Sequence, residues 1–281
     1  MPELPEVETI SRILREGTSE MPSLIGKSIL GADVLWRRSV ATHTAEDFDI
    51  GIRDQVIKEI GRRGKYLCLG LSRDVLLLHL RMSGDVWLES PEKLILTHYR
   101  VVINLKDPMD GGLFRFVFND PRKFGRIWLT SDPETILSGL GPEPLSEAFT
   151  QVGFYQSLHK RHRQIKPLLM DQTFLAGLGN IYTDESLHQA KLHPLTLSDQ
   201  ITVGQAESLY DSIRMILKEG IQRNGASIDW VYRGGGFQNH FRVYQRTGEP
   251  CYNCGTPIER IIVGQRGTHF CPHCQILSDN P

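Results

Sequence analysis

The apolar positions change their period along the chain. Over residues 5–15 they fall at Val7, Ile10 and the Ile13–Leu14 pair, which is the spacing of one helix face. From about residue 25 to 130 the pattern becomes short apolar runs broken by Gly, Asp and Pro. KYLCLGL (65–71), DVLLLHLRM (74–82), YRVVINL (99–105), LFRFVFN (113–119) and GRIWLT (125–130) are the clearest. Such runs predict strands. By spacing alone, Met82 reads as a core residue at a strand end and Cys68 as a buried strand thiol. Several short strands at this spacing predict a β-sandwich or barrel-like domain with the N-terminal helix packed on it. GLGPEPLS (139–146) reads as a linker.

Beyond the linker the pattern is helical. Residues 202–225 give the clearest case. Thr202 and Gln205 form a capping-box pattern, Ala206, Leu209, Ile213, Ile216, Leu217 and Ile221 a buried stripe, and Gly225 the stop. A second helix is expected to start at Asn180 and run to about Lys191, with His193–Pro194 stopping it. RGGGFQNH (233–240) reads as a mobile glycine loop. The fold class expected is therefore α+β.

The chain has 281 residues, 40% of them hydrophobic and 23% charged, ordinary values for a soluble globular protein. No run reaches the roughly 18 apolar residues of a membrane helix, and no basic, then apolar, leader precedes residue 15. A cytoplasmic protein with no membrane partner is expected. The net charge of −1 argues weakly against nucleic-acid binding, but the cations cluster in GRRGK (61–65), DPRKFGR (120–126) and HKRHRQIK (159–166). Each cluster alone reads as solvated surface; together they suit a phosphate-tracking groove.

Four of the five cysteines form Cys251-x2-Cys254-x16-Cys271-x2-Cys274. This spacing predicts one structural, four-thiolate Zn2+ site. His269 and His273 lie near it, but four sulfurs already close the shell. RIIVGQRGTHF (260–270), between the cysteine pairs, reads as two short strands with Arg266 at or near the tip. That arginine suits either a solvated loop or a nucleic-acid groove.

The start, MPELPEVE, also has two readings. Pro2, Glu3 and Glu6 suit the first turn of a helix. Alternatively, removal of Met1 leaves Pro2 with a free secondary amine. Such an α-amino group has a pKa of about 7.7–8.0 and forms an iminium with an aldehyde-like carbon. Glu3 then sits where it can shuttle protons.

PELPEVE, GRRGKYL, HLRMSG, DPRKFG, GLGPEPL, IKPLLMDQTFLAGLGNIYTDE and QRGTHFCPHCQ occur in one order over residues 2 to about 275. In this combination the chain resembles the bacterial formamidopyrimidine-DNA glycosylase and endonuclease VIII family. The resemblance implies a bifunctional DNA glycosylase and AP lyase of base excision repair, a monomer acting on damaged double-stranded DNA by base flipping. It implies a catalytic β-sandwich over 1–138, a helix-two-turn-helix DNA-binding domain over 147–235 and a zinc finger over 242–276. Pro2 is implied as nucleophile and Glu3 as general acid/base. Lys65 is implied in β-elimination, and Arg266 in gripping flanking phosphates and supporting δ-elimination. His98, Arg122, Arg161 and Asn180 are implied as backbone contacts, although the run around Arg161 matches only in charge. Met82, Arg122 and Phe124 match the trio that fills the gap left by the flipped base. With PELPEVE, that trio points to the branch acting on oxidised purines such as 8-oxoguanine and formamidopyrimidines.

Some positions depart from that pattern. Tyr99 and Arg100 follow His98 where an acidic residue and a second histidine are usual. QNHF replaces QNEL at 238–241, and the glycine loop WVYRGGGFQNH differs. Thr18–Ser23 and Lys106–Gly112 are longer connections. The loop and His240 bear on lesion preference. An oxidised-pyrimidine glycosylase of endonuclease VIII type therefore stays as an alternative. So do a damage-binding protein whose amine is idle because Met1 is retained, and a zinc-ribbon interaction module on an unrelated β domain. The last predicts neither GLGNIY nor the N-terminal motif.

Overall fold

The structure is a computed structural model and describes residues 1–227 and 234–277. The chain divides into two compact units, Met1–Ser138 and Gly139–Ala226 with the stretch from Gly234 onward.

The first unit opens with α1 (Leu4–Glu16). Pro5 occupies the first turn, where a missing N–H costs nothing. Glu3 and Glu6 form a capping box in which the Glu3 N–H donates to the Glu6 carboxylate at 2.7 Å. Leu4, Val7, Ile10 and Leu14 are buried, whereas Ile13 remains 42% exposed. Ile13 and Leu14 are adjacent and so cannot share the centre of one helix face.

The strands are β1 (Ser28–Val34), β2 (Ile57–Arg63), β3 (Tyr66–Leu71), β4 (Val75–His79), β5 (Asp85–Glu89), β6 (Tyr99–Lys106), β7 (Leu113–Asn119) and β8 (Arg126–Thr130). They form two four-stranded antiparallel sheets, ordered β1-β6-β7-β5 and β2-β3-β4-β8. Helix α2 (Ala45–Ile52) joins β1 to β2, and α3 (Glu134–Leu137) follows β8. Leu67, Leu69, Leu76, Leu78, Ile103, Phe116, Phe118 and Ile127 form one core with Val7, Ile10 and Leu14 of α1. The strands without a clear sequence signal, β1, β2 and β5, are all edge strands. SILGADV and IKEIGRR keep polar positions because an edge remains solvated.

Two strand expectations are corrected. β4 ends at His79, not at Met82. Arg81 takes φ 55° and its N–H donates to His79 Nδ1 at 3.1 Å, which turns the chain out of the sheet. Met82 is then 39% exposed and outside the core. Cys68 is only partly buried, because alternation sends its neighbours Leu67 and Leu69 into the core and Cys68 to the other face. In the lengthened 106–112 connection, Asp107 accepts from the buried Lys27 ammonium at 2.7 Å. That hydrogen bond holds the Asp107 carboxyl below its ordinary pKa.

The second unit contains α4 (Gln151–His159), α5 (Ile165–Met170), α6 (Asn180–Gln189), α7 (Val203–Gln222) and the hairpin β9 (Glu259–Val263) and β10 (Arg266–Phe270). Thr202 and Gln205 cap α7, with the Thr202 N–H 2.9 Å from Gln205 Oε1. Its buried face is Ala206, Leu209, Ser212, Ile213, Ile216, Leu217 and Gly220; Ile221 is only partly covered. Helix α6 stops at Gln189, short of Lys191. Lys191 adopts φ 56° and the Leu192 N–H returns to the Leu187 carbonyl at 3.0 Å, so the exit is made before Pro194. Of RGGGFQNH, Arg233 lies outside the described residues. Its second half is anchored: Phe237 is fully buried and stacks on Tyr182 at 5.2 Å between ring centres.

Helix α6 is buried nearly all round, including Thr183, Asp184, Glu185, Ser186 and His188. Its acids have specific partners. Asp184 meets the Lys166 ammonium at 2.6 Å, both side chains being fully buried, and accepts the His269 N–H at 2.9 Å. Glu185 accepts the backbone N–H groups of Arg242, Val243 and Tyr244 at 2.8, 3.0 and 2.9 Å. Removing one partner of a buried pair strands the other charge. Lys166→Met is expected to lower the unfolding free energy of the second unit by about 3–5 kcal/mol, read by denaturant titration. An unchanged midpoint would contradict the assignment of this pair as a structural centre.

Candidate active site and nucleic-acid interface

In the first unit, Pro2 and Glu3 are buried at the head of α1. The helix packs on β2 and β3. Glu8 accepts from Arg62 Nε at 2.8 Å, and Arg15 Nη1 donates to the Ile60 carbonyl at 3.3 Å. β2 and β3 are joined by the two residues Gly64 and Lys65, since Arg63 pairs with Tyr66. Gly64 takes φ 56°, the conformation this tight turn needs from its first residue. Lys65 is buried at 5% exposure. Pro2, Glu3 and Lys65 are thus carried on elements that pack against one another. His79 lies within the field of Lys65. Burial first, then the charges of Arg81 and Lys65, push its pKa down to about 3, and Tyr66 meets its ring edge-on at 4.7 Å.

The segments that follow β4 and β7 cross from one sheet to the other and are tied together. Asp120 is fully buried. One of its carboxylate oxygens accepts from Ser83 Oγ and from the Arg122 N–H at 3.2 Å. The other accepts from the Gly125 N–H at 2.7 Å, and the Arg122 N–H also reaches Ser83 Oγ at 3.3 Å. With the backbone polar groups turned inward onto Asp120, the side chains between them point out. Arg122, Lys123 and Phe124 are exposed, Phe124 by 49%. Ser83 brings the neighbouring Met82 to the same pair of loops. Arg122 lies over the Phe124 ring at 5.1 Å and Lys123 over Trp36 at 4.0 Å. His98 is exposed, and its carbonyl accepts the Asp120 N–H at 2.9 Å.

In the second unit, β9 and β10 meet through Gly264 and Gln265, at φ 55° and 63°, the paired left-handed residues of a type I′ hairpin. Arg266 is the first residue after that turn and is exposed. Its neighbour Gly267 is held from two sides: its carbonyl accepts from Lys166 Nζ at 3.2 Å and Asn180 Nδ2 at 3.0 Å. Asn180 therefore commits one amide N–H to the hairpin, and its Oδ1 has no partner among the described residues. Arg161 donates to the Ser157 carbonyl at 3.2 Å and lies over Phe174 at 5.0 Å. It lines a cavity of about 250 Å³ with Phe149, Phe154 and Phe174.

Cys251, Cys254, Cys271 and Cys274 bring their sulfurs within 4.8 Å of one another. Cys251–Cys274 and Cys254–Cys271 are 3.9 and 3.5 Å apart. A tetrahedral ion with metal–sulfur bonds of about 2.3 Å needs sulfurs about 3.8 Å apart, so the residues fit a four-thiolate zinc. His188 Nε2 is 3.5 Å from Cys251 Sγ. His269 is turned to Asp184, with Nδ1 at 3.3 Å.

Residues 1–127 match the formamidopyrimidine-DNA glycosylase N-terminal domain, 140–231 the formamidopyrimidine-DNA glycosylase H2TH domain and 248–276 a zinc finger found in FPG and IleRS. The formamidopyrimidine-DNA glycosylase of Ligilactobacillus salivarius is 42% identical over 286 residues, 99% of each chain. That of Chloroflexus aurantiacus is 42% identical over 290 residues and the whole of both chains.

This chain belongs to the formamidopyrimidine-DNA glycosylase family.

Its four clustered cysteines make the family's zinc finger. Among solved structures, Lactococcus lactis FPG (MutM) in complex with FAPY-dG containing DNA superposes with a TM-score of 0.89 at 37% identity, over 98% of this chain and 100% of that one. A MutM structure with carbocyclic 8-oxo-G containing DNA gives the same values. So does Lactococcus lactis FPG with oxidised-pyrimidine containing DNA. Among the described residues, no helix is long and apolar enough to cross a membrane.

The departures from the formamidopyrimidine-DNA glycosylase pattern at 99–100 are buried. Tyr99 donates to Glu89 at 2.8 Å, beside Trp87 Nε1 at 3.0 Å. Burial, then the hydrogen bond and charge of Glu89, push its hydroxyl up to about 12. Sequence reasoning missed Ser83, Asp120, Asp184 and Glu185. DPRKFGR reads in sequence as a cluster of cations, which gives its first residue, Asp120, no role. Its signal was the Asp-Pro pair, which favours a turn closed on the aspartate.

Two outcomes test this geometry. His79 is protonated in the unfolded chain below about pH 6.5 but resists protonation when folded. It therefore adds nothing at higher pH and destabilises as pH falls from 6.5 toward 3. Between pH 7 and 5 the native protein should lose about 2 kcal/mol more than His79→Asn, by denaturant midpoints. Cys254→Ser, or chelation, is expected to reduce bound zinc from one per chain and to speed amide exchange in β9 and β10 while sparing residues 1–138. Equal exchange in native and variant proteins would contradict a metal-held hairpin.

Proposed function

We propose that this family member is a bifunctional glycosylase and AP lyase that removes oxidised purines from duplex DNA. The observation that carries the reading is the pair of cross-tied loops in the first unit. Met82, Arg122 and Phe124 protrude from a buried Asp120 staple, as side chains that fill a vacated base position must. The flanking Arg122 and Lys123 place positive charge, and the exposed His98 a polar ring, where a phosphate backbone requires them. Family relatives crystallised with formamidopyrimidine and 8-oxoguanine DNA support the purine class.

In this reading Met1 is removed and the Pro2 nitrogen attacks C1′ of the damaged nucleotide. The C1′–N bond breaks and the base leaves with a proton. Glu3 supplies a proton to the ring oxygen, and the ring opens to an iminium between Pro2 and C1′. Loss of a C2′ proton, assisted by Lys65, then expels the 3′ phosphate. A second elimination, supported by Arg266, expels the 5′ phosphate. In the capping box the Glu3 N–H donates to Glu6 and the Glu3 side chain accepts the Glu6 N–H. A carboxylate has two oxygens, so the cap and the proton transfer can be divided between them. Arg266 suits phosphate binding because it begins a strand whose next carbonyl is doubly held. Asn180 and Arg161 are assigned as further phosphate contacts. Zinc is assigned as the finger's ion, with a structural role only, and the protein is assigned as a monomer.

Borohydride trapping on 8-oxoguanine duplex tests the reading. The native protein, with Met1 shown absent by mass, is expected to form a covalent adduct. Pro2→Gly and Glu3→Gln are expected to lose at least about 100-fold in the glycosylase step. A native protein lacking Met1 that binds but forms no adduct would reduce the reading to damage binding. A strong preference for oxidised pyrimidines over 8-oxoguanine and formamidopyrimidines would overturn the purine assignment.

A further inference from the structure

Arg100 is 6% exposed and has no acidic partner among the ion pairs of the described residues. A buried guanidinium without a carboxylate needs another source of compensation. Here it is a ring of carbonyls. Nε donates to the Asp120 carbonyl at 2.7 Å, and Nη1 to those of Thr97 and Tyr99 at 3.1 and 3.4 Å. Nη2 reaches the Pro121 carbonyl at 3.5 Å and His98 Nδ1 at 3.4 Å. The residue's own carbonyl accepts the N–H groups of Leu35 and Trp36 at 2.9 and 3.1 Å. Trp36 in turn carries Lys123 of the 120–125 loop over its ring.

These contacts join two segments with exposed polar side chains. One carries His98, and the other carries Arg122, Lys123 and Phe124. Asp120 braces the second loop from its side chain, and Arg100 braces it from its backbone. An arginine is always a donor and never an acceptor. The His98 nitrogen facing it, Nδ1, is therefore the acceptor of the ring, and the ring proton belongs on Nε2. That leaves an N–H on the solvent side of an exposed ring, the polarity a phosphate oxygen requires.

We propose that Arg100 is a positioning residue for DNA engagement: it sets the tautomer of His98 and couples that ring to the gap-filling loop. The inference rests on the reading of this chain as a glycosylase of damaged duplex DNA. Its chemistry needs the planar, five-donor fork. A lysine keeps the charge but offers one nitrogen, so it cannot span the carbonyls of both segments and the histidine together.

The test uses the full-length protein and an 8-oxoguanine duplex with 2-aminopurine beside the lesion. Native protein, Arg100→Lys, His98→Ala and the double variant are compared by KM, by single-turnover rate at saturating DNA and by 2-aminopurine fluorescence. All assays are run well below the lowest thermal midpoint measured for the set, so that loss of fold does not enter. Arg100→Lys is expected to raise KM roughly tenfold, to reduce the fluorescence change on binding, and to leave the saturated rate within about threefold of native. In the His98→Ala background the same substitution is expected to raise KM markedly less, because part of its effect runs through that ring. A KM and fluorescence change equal to native in Arg100→Lys would overturn the proposal. Full additivity with His98→Ala would also overturn it, since the two residues would then act separately. Failure of the native protein to process the lesion at all would instead count against the proposed function, which separates the two ideas.

Discussion

The second unit depends on two consecutive buried carboxylates. Asp184 and Glu185 lie side by side on α6, yet they face different segments. Asp184 holds the Lys166 ammonium of α5 and the His269 N–H of β10. Glu185 fills the cluster of N–H groups at 242–244. A charge with no exposure to water must be matched by donors in fixed positions. The helix, the hairpin and the chain leading to the finger are therefore located by the same pair of side chains. Burial raises the Glu185 carboxyl above its ordinary pKa while the three N–H groups lower it. Burial is the larger of the two effects, and the specificity of the site comes from the geometry of its three donors. The finger accordingly clusters with the helices in one compact unit.

The first unit applies the same constraint to a different end. Asp120 and Arg100 have opposite charges, and both are buried in the turn between β7 and β8 and its neighbours. Asp120 collects N–H groups and Arg100 collects carbonyls. Between them they satisfy the polar backbone of a loop that has no ladder partner. A loop satisfied from inside can leave large apolar and cationic side chains in water. This explains how Met82 and Phe124 stay exposed on a unit whose core has ample apolar residues.

Much of the fold was legible because it rests on local patterns. The α7 cap, the central strands and the paired cysteines each announce themselves within a few residues. The edge strands β1, β2 and β5 were not legible, since SILGADV, IKEIGRR and DVWLE mix polar positions into the run, whereas the remaining edge strand, β8, keeps the apolar stretch IWL and was read. Met82 was misread for the opposite reason. It continues an apolar run, and the left-handed turn at Arg81 that ejects it has no signature in composition. The candidate site was legible only as residue types and order. That His98, Arg122 and Phe124 lie on segments braced by common buried groups follows from contacts 20 to 39 residues apart in sequence.

By itself, the sequence determined the helix start at Glu3 and Glu6, the four-thiolate finger and the family to which the chain belongs. Each of these is set by residue identity at short spacing or by the order of motifs. Tertiary structure decided which polar residues became structural centres. A carboxylate or guanidinium has the same identity in the sequence whether it is solvated or buried. Asp120, Asp184, Glu185 and Arg100 acquire their roles only when distant backbone groups converge on them and water is excluded, and that convergence is a property of the folded chain.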